Sequence, residues 1–159
     1  MIKKINFVKK TEERKNVMDI SENLFLKEMQ LNLIEDIYNK KHFLNDDLII
    51  KNLKKKSNSY KNQDQKKDRY DKETFIKYNE LTEKLFNSKL KCDYCEQETI
   101  IMYKNKREPL QWTLDRIDNS IGHSNPNTII SCLKCNLERR CKNDKKFIKI
   151  SCSFISYYK

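Results

Sequence analysis

Four cysteines in two closely spaced pairs are the residues of this chain best suited to carry chemistry. Each pair has the spacing Cys-x-x-Cys, and a long insertion separates Cys92 and Cys95 from Cys132 and Cys135. A pair of this kind can point both sulfurs at one place, and two pairs complete a tetrahedron around zinc. Four sulfur ligands leave no open position for water, so the pattern predicts a structural zinc ion. The alternative is four unrelated buried cysteines.

Candidate oxygen ligands lie between and directly after these cysteines. Residues 115–118 read Asp-Arg-Ile-Asp, and Asn136 follows the second pair at once. Carboxylate and amide oxygens are the ligands that Mg²⁺ prefers in proteins. Asp115 and Asn136 are therefore candidate ligands of a catalytic Mg²⁺ or Mn²⁺, which can bind a phosphodiester and stabilise the departing oxygen.

The composition indicates a polyanionic partner. The 159 residues include 34 Lys and Arg against 23 Asp and Glu, a net charge of +11. Nucleic acid is the simplest partner for such a charge, and a lysine-rich surface kept for solubility is the alternative. Neither a membrane-spanning run nor a signal peptide is evident, so we expect an intracellular protein without a membrane partner. In a reducing compartment, paired cysteines indicate metal binding rather than disulfides.

The N-terminal half predicts helices. Apolar residues recur with helical spacing over 21–41, and a second apolar patch at 48–53 predicts a short helix. Residues 54–69 are polar and lysine-rich without periodicity, which predicts a basic flexible linker. The cationic stretch 51–69 could be only a spacer, or it could follow a nucleic-acid backbone nonspecifically. Helical spacing then returns over 70–85. We therefore expect a helical N-terminal region at 1–53, a linker at 54–69, and at 70–90 a helix that leads into the next domain.

The sequence changes character at residue 91, where strand formers replace the helical pattern. Residues 118–127 hold Asn, Ser, Gly and Pro and predict a loop. The other expected elements are strands at 99–103, 110–117 and 128–131, a helix at 132–143, and a terminal strand at 148–154 with a helix as the alternative.

Three stretches of this region together resemble the HNH endonuclease family, also called His-Me finger or ββα-metal nucleases. They are 114–122 (Leu-Asp-Arg-Ile-Asp-Asn-x-x-Gly), 127–130 (Asn-Thr-Ile-Ile) and 132–136 (Cys-x-x-Cys-Asn). The Asp-Arg-Ile-Asp-Asn variant is similar to that of HNH proteins from phages and large DNA viruses. The resemblance covers about residues 91–145. It implies a zinc-bound ββα-metal (HNH) domain at 91–159. Together with the helical pattern of the N-terminal region, which the resemblance does not cover, the expected fold is α+β.

The resemblance also implies a role for each matching residue. Asp115 and Asn136 match the two ligands of the catalytic metal ion, and Asn127 matches the central Asn that orients the general base or braces the loop. The family places its general-base histidine directly after the metal-binding Asp, where this chain has Arg116. Arginine stays charged and cannot accept a proton from water. Of the two histidines, His123 lies in the same loop and is the candidate base.

Three explanations of Arg116 stay open. In the first, Arg116 stabilises the transition state while His123 activates the water. In the second, metal-bound water loses its proton without a histidine. In the third, the site is inactive and the unit only binds nucleic acid. For His123 itself, a polar surface position or a phosphate contact is the alternative to a base.

A cationic helix after the second cysteine pair predicts the DNA contact. Such a helix can lie along a groove and neutralise phosphates, and a solvated charged face is the alternative. The leading function is a metal-dependent endonuclease that nicks or cuts double-stranded DNA. The alternatives are a catalytically inactive zinc-stapled ββα nucleic-acid-binding module and a subunit of a larger assembly. The N-terminal helices are most simply a packing module, and the alternatives for them are DNA recognition and the formation of a homodimer. The candidate DNA-binding residues are Arg139, Arg140, Lys142, Lys145 and Lys146.

Overall fold

The structure, a computed structural model, describes residues 22–42 and 46–140. This part of the chain is mixed α+β, which confirms the α+β class predicted from the sequence. Within it, no helix has both the length and the apolar character needed to span a membrane. The elements are a 3-10 turn (Glu22–Phe25), α1 (Lys27–Tyr38), α2 (Asp46–Gln65), α3 (Tyr78–Asn87), β1 (Trp112–Arg116), β2 (Thr128–Cys132) and α4 (Leu133–Arg139).

The two strands form an antiparallel hairpin, with Trp112 paired to Cys132 and Arg116 to Thr128. Both strands were predicted, as were the loop between them and the helix after β2. All five residues of β1 are buried. The side chains of β1 point alternately to α4 and to α2. Thr113 and Asp115 contact α4, while Trp112 lies against Tyr60 of α2. We call β1, β2, their loop and α4 the hairpin–helix unit.

The predicted linker at 54–69 is wrong over most of its length, because residues 46–65 form one helix of 20 residues. Its buried positions have helical spacing, but several of them are polar. The apolar periodicity therefore ends after Leu53 and does not indicate the rest of the helix. The buried residues are Ile49, Leu53, Ser57, Tyr60 and Asp64.

Two polar side chains of α2 hold this helix against β1. Lys56 donates to the carbonyl oxygen of Trp112, and the Tyr60 hydroxyl accepts a hydrogen bond from the amide of Leu114 at 3.0 Å. These backbone groups lie on the edge of β1 that β2 does not pair with. An unpaired strand edge is costly when buried, so the side chains of α2 satisfy groups that a third strand would otherwise take.

The predicted strand at 99–103 is also wrong, since only a single parallel bridge forms there, at Ile100. The buried side chain of Gln30 on α1 accepts hydrogen bonds from the amides of Ile101 (2.5 Å) and Met102 (2.9 Å). A side chain thus takes the place of a neighbouring strand. The physical reason for the wrong prediction is a long-range contact that local propensity does not contain.

The other helix predictions hold with shifted ends. Residues 27–38 are helical as α1, inside the predicted 21–41. The helix predicted from residue 70 begins only at Tyr78, because Phe75 bridges Ser124 and the amide of Ile76 donates to the carbonyl of His123 at 2.9 Å. The strand predicted at 148–154 and the end of the helix predicted at 132–143 lie outside the described residues.

Candidate functional site

The four predicted zinc ligands come together. The sulfurs of Cys92, Cys95, Cys132 and Cys135 all lie within 4.8 Å of one another. Thiolates bound at about 2.3 Å to one tetrahedral zinc would be about 3.8 Å apart. The sulfurs of Cys95 and Cys132 are 3.9 Å apart, close to that value. The cluster could therefore hold a metal ion such as zinc.

Local backbone geometry builds each half of this cluster. After the first pair, Glu96 takes a left-handed conformation (φ 59°), and its amide donates to the carbonyl of Cys92 at 2.8 Å. In the second pair, Cys132 ends β2 and caps α4, since its sulfur accepts from the amide of Cys135 at 3.4 Å. Hydrogen bonds from the thiols of Cys132 and Cys135 lower the pKa of Cys92 well below its usual range. The pKa values of Cys132 and Cys135 are raised by hydrogen bonding within the cluster and by burial, so of these three cysteines only Cys92 is favoured as the thiolate that metals bind.

Asp115, the predicted metal ligand, is engaged by protein groups at both carboxylate oxygens. The guanidinium of Arg139 pairs with it at 2.7 Å through Nε and at 3.1 Å through Nη2. The hydroxyl of Tyr94 donates to the same carboxylate at 2.9 Å. Asp115 is 6% exposed and Arg139 1%. The result is a buried bidentate ion pair between β1 and α4, with Tyr94 linking it to the first cysteine pair.

Asn136, the second predicted metal ligand, lies at the same interface but contacts a different residue. Its side-chain amide donates to the hydroxyl of Thr113 at 3.1 Å. Thr113 and Asp115 lie two residues apart and share one face of β1. Asn136 and Arg139 are one helical turn apart on α4. The structure thus brings Asp115 and Asn136 to one interface, where each has its own partner.

The charges around Asp115 are already balanced. Asp115 pairs with Arg139, and Arg116 lies 3.5 Å from the buried carboxylate of Asp64. A Mg²⁺ ion here would place two further positive charges beside two buried guanidinium groups. It would also have to displace Arg139 and leave that cation buried without its counter-ion, which is strongly unfavourable. Asp115 and Asn136, as arranged, do not fit a bound Mg²⁺ or Mn²⁺.

His123, the candidate base, is 3% exposed and is bound to α2. Its amide donates to Asp64 at 2.7 Å, and its Nδ1 lies 2.9 Å from both carboxylate oxygens. Burial lowers the pKa of His123 and outweighs the hydrogen bond to Asp64, which raises it. The imidazole is therefore neutral at pH 7, and because a carboxylate only accepts, Nδ1 carries the proton. This dyad joins the loop of the hairpin to α2.

The loop between the strands is closed by its own residues. The side chain of Asn127 accepts from the amide of Asp118 at 2.9 Å and donates to the carbonyls of Asp118 and Gly122, both at 3.0 Å. Arg116 donates to the carbonyl of Ile121 at 3.2 Å. A Cβ added to Gly122 would overlap the carbonyl oxygen of Arg69, so only glycine fits there. Asn127 therefore braces the loop.

The predicted DNA-binding residues divide into three groups. Arg139 is buried in its ion pair, so its prediction as a phosphate contact is wrong, because Asp115 draws it into the interface. Arg140 is exposed, and its carbonyl accepts from the side chain of Asn119 at 3.1 Å. Lys142, Lys145 and Lys146 lie outside the described residues.

Two residues that organise the site were not predicted from the sequence. Asp64 binds both the backbone and the ring of His123, and Tyr94 binds Asp115. A signal for Asp64 was available, since it is the one acidic residue in the lysine-rich stretch 48–67. Tyr94 lies inside the first cysteine pair, between two residues that are themselves predicted zinc ligands.

Comparison with known proteins adds no relative. The chain matches no family model, no curated protein and no solved structure. The likeness to the HNH family therefore rests on the motifs at 114–122, 127–130 and 132–136.

Proposed function

We propose that this protein is a zinc-stapled module of ββα type that binds double-stranded DNA and does not cleave it. The observation that carries the proposal is the buried ion pair between Asp115 and Arg139. An HNH-type nuclease needs this carboxylate open to a divalent cation, and here a guanidinium occupies both of its oxygens. Of the three explanations of Arg116, this arrangement favours the inactive site.

Zinc would be held by Cys92, Cys95, Cys132 and Cys135, and its contribution is structural. Few apolar side chains besides the cysteines are buried in this small cluster, which joins a turn before β1 to the start of α4. A metal that binds only the folded arrangement adds its binding free energy to folding. The same staple holds Tyr94 against Asp115 and so keeps the ion pair closed.

Nucleic acid as the partner is supported by charge. The net charge of +11 favours binding to a phosphate backbone, which supplies a large share of the affinity in protein–DNA complexes. A module of this kind needs no metal ion other than the staple.

The second candidate function is a metal-dependent DNA endonuclease of the HNH family. It is favoured by the order β1, loop, β2, α4, which brings Asp115 and Asn136 to one interface. It is also favoured by the neutral imidazole of His123, since a neutral ring can accept a proton. This function requires Arg139 to leave Asp115 when the metal binds.

One pair of assays separates the two functions. Purified protein is incubated with supercoiled plasmid in Mg²⁺, in Mn²⁺ and in EDTA, and its binding to a labelled duplex is measured in parallel. We expect binding of the duplex without nicking in any of the three. Metal-dependent nicking that is lost in Asp115→Asn would establish the endonuclease instead. Absence of binding to any duplex would overturn both functions.

A further inference from the structure

The outward face of α2 carries a cationic and amide-rich stripe. The residues of this face recur at helical spacing and lie opposite the buried residues of the same helix. Lysines occupy its first half and amides its second, and no acidic residue follows Asp47 on it. We call it the α2 stripe, and its members are Lys51, Lys54, Lys55, Asn58, Asn62 and Gln65.

The inward face of the same helix is held rigidly. Lys56 and Tyr60 bond to the backbone of β1, and Asp64 bonds to His123 in the hairpin loop. The lysines of this region are therefore sorted, with Lys56 turned into the protein and the lysines of the α2 stripe exposed. A helix fixed along its length presents its outer face without a backbone ordering cost when it binds.

The composition of the α2 stripe works against helix stability. Lys51 lies three and four positions before Lys54 and Lys55, and like charges at these spacings repel. Asn58 and Asn62 occupy exposed helix-interior positions, where asparagine is a weak helix former. A sequence that only needed a stable solvated helix would place acids or alanine here. Local rules are broken in this way where a surface binds something.

We propose that the α2 stripe is the DNA-binding surface of this protein and lies in the major groove of B-form DNA. The inference rests on the proposed nucleic-acid binding and names the surface and the form of the partner. The helix, about 10–12 Å across, fits a major groove about 12 Å wide. A-form RNA has a deep, narrow major groove that side chains cannot read, so DNA is the partner that fits.

Different residues of the α2 stripe have different roles in this complex. Lys51, Lys54 and Lys55 neutralise phosphates, which sets affinity and its dependence on salt. The amide side chains of Asn58 and Asn62 lie one turn apart and can pair with base edges, adenine above all. The stripe from Lys51 to Gln65 is about 21 Å long, enough to span both kinds of contact.

The test is a triple variant in which Lys51, Lys54 and Lys55 become Gln. Glutamine keeps a long side chain of good helix propensity and removes the repulsion, so the fold is retained. We expect affinity for a duplex at 0.15 M salt to fall roughly 100-fold, and the slope of log affinity against log salt to lose about 2.7. The matched control replaces Lys27, Lys40 and Lys106, which are exposed and lie outside α2, with Gln. We expect it to bind within a few-fold of the unaltered protein.

The outcomes separate this inference from the proposed function. If the unaltered protein binds no duplex, the proposed function fails. If it binds and the triple variant keeps the same affinity and salt slope, only the α2 stripe is wrong. Equal affinity for duplex RNA overturns the assignment to the major groove of DNA. In a variant with Asn58→Ala and Asn62→Ala, we expect the salt slope to stay and the preference among sequences to weaken.

Discussion

The two sides of β1 both hold a buried carboxylate, and the two carboxylates differ in origin and in partners. On the α4 side, Asp115 belongs to the motif at 114–122 and forms an ion pair with Arg139 of the same hairpin–helix unit. On the α2 side, Asp64 comes from a stretch that resembled a linker, and it serves His123 and Arg116 together. The carboxylate predicted to be catalytic is neutralised, and the unpredicted one arranges the motif's loop.

This difference shows that the chemical type of a side chain does not decide whether a ligand can bind to it. A motif states which side chains are present, while their pairing decides whether a ligand can reach them. Asp115 and Arg116 are adjacent in sequence, yet they point to opposite sides of β1 and pair with Arg139 and Asp64 respectively.

Removal of the staple should break the α4 side most severely. Cys135→Ser, or a strong zinc chelator, should unfold the hairpin–helix unit, because structural zinc binding is worth about 10–16 kcal/mol in small zinc domains. Zinc content by mass spectrometry and the loss of helical circular dichroism would check this. Cys152→Ser, a thiol outside the two pairs, is the matched control and should keep one zinc per chain. A folded Cys135→Ser protein without zinc would contradict the staple.

Truncation of Asp115 should be the next largest effect. Asp115→Ala leaves Arg139 as a buried cation without its partner, and we expect unfolding free energy to fall by about 3–5 kcal/mol. Urea denaturation measures this loss. The double variant with Asp115→Ala and Arg139→Met should recover much of it, because the uncompensated charge is gone. An Asp115→Ala protein as stable as the unaltered one would mean that the ion pair is open in solution.

Substitution of Asp64 should have a smaller effect, and one of a different kind. Asp64→Asn keeps the shape but removes the negative charge beside Arg116 and weakens the hydrogen bonds to His123, so we expect a loss of about 2 kcal/mol. Asp68→Asn is the control, since Asp68 is exposed and asparagine tolerates its left-handed backbone. Two-dimensional NMR should place the changed amide signals of Asp64→Asn in 116–127. Changes confined to α2 would contradict the bridge to the loop.

The pH dependence of stability should show the smallest effect. Burial lowers the pKa of His123 in the folded protein below its ordinary value of about 6.5. The unfolded chain then binds more protons than the folded one as pH falls below about 6.5, so stability decreases there until the folded pKa is reached.

The measurement compares unfolding free energies at pH 7.5 and 5.5. The decrease on acidification should be smaller in His123→Gln than in the unaltered protein. An NMR titration that places the pKa of His123 above 6.5 would contradict the expected sign.

Local sequence patterns were sufficient for part of the fold. The hairpin strands, their polar loop and α4 follow from β-formers, from a cluster of turn residues and from the cysteine spacing, each of which acts over a few residues. The end of α2 and the backbone pairing at 101–102 did not follow. Both depend on polar side chains, those of Tyr60 and Gln30, that bond to backbone far away in the chain.

The amino-acid order alone established the donor sets. Cys-x-x-Cys repeated across an insertion predicts a set of four thiol ligands, because each turn points the two sulfurs of its own pair at one place. The positive charge is a property of the composition. Only the tertiary structure decided that Asp115 is paired with Arg139, that His123 is bound by Asp64, and that the lysines of the α2 stripe are exposed while Lys56 is turned inward. These outcomes depend on which charges meet in a buried interface, where desolvation makes an unpaired ion too costly to persist.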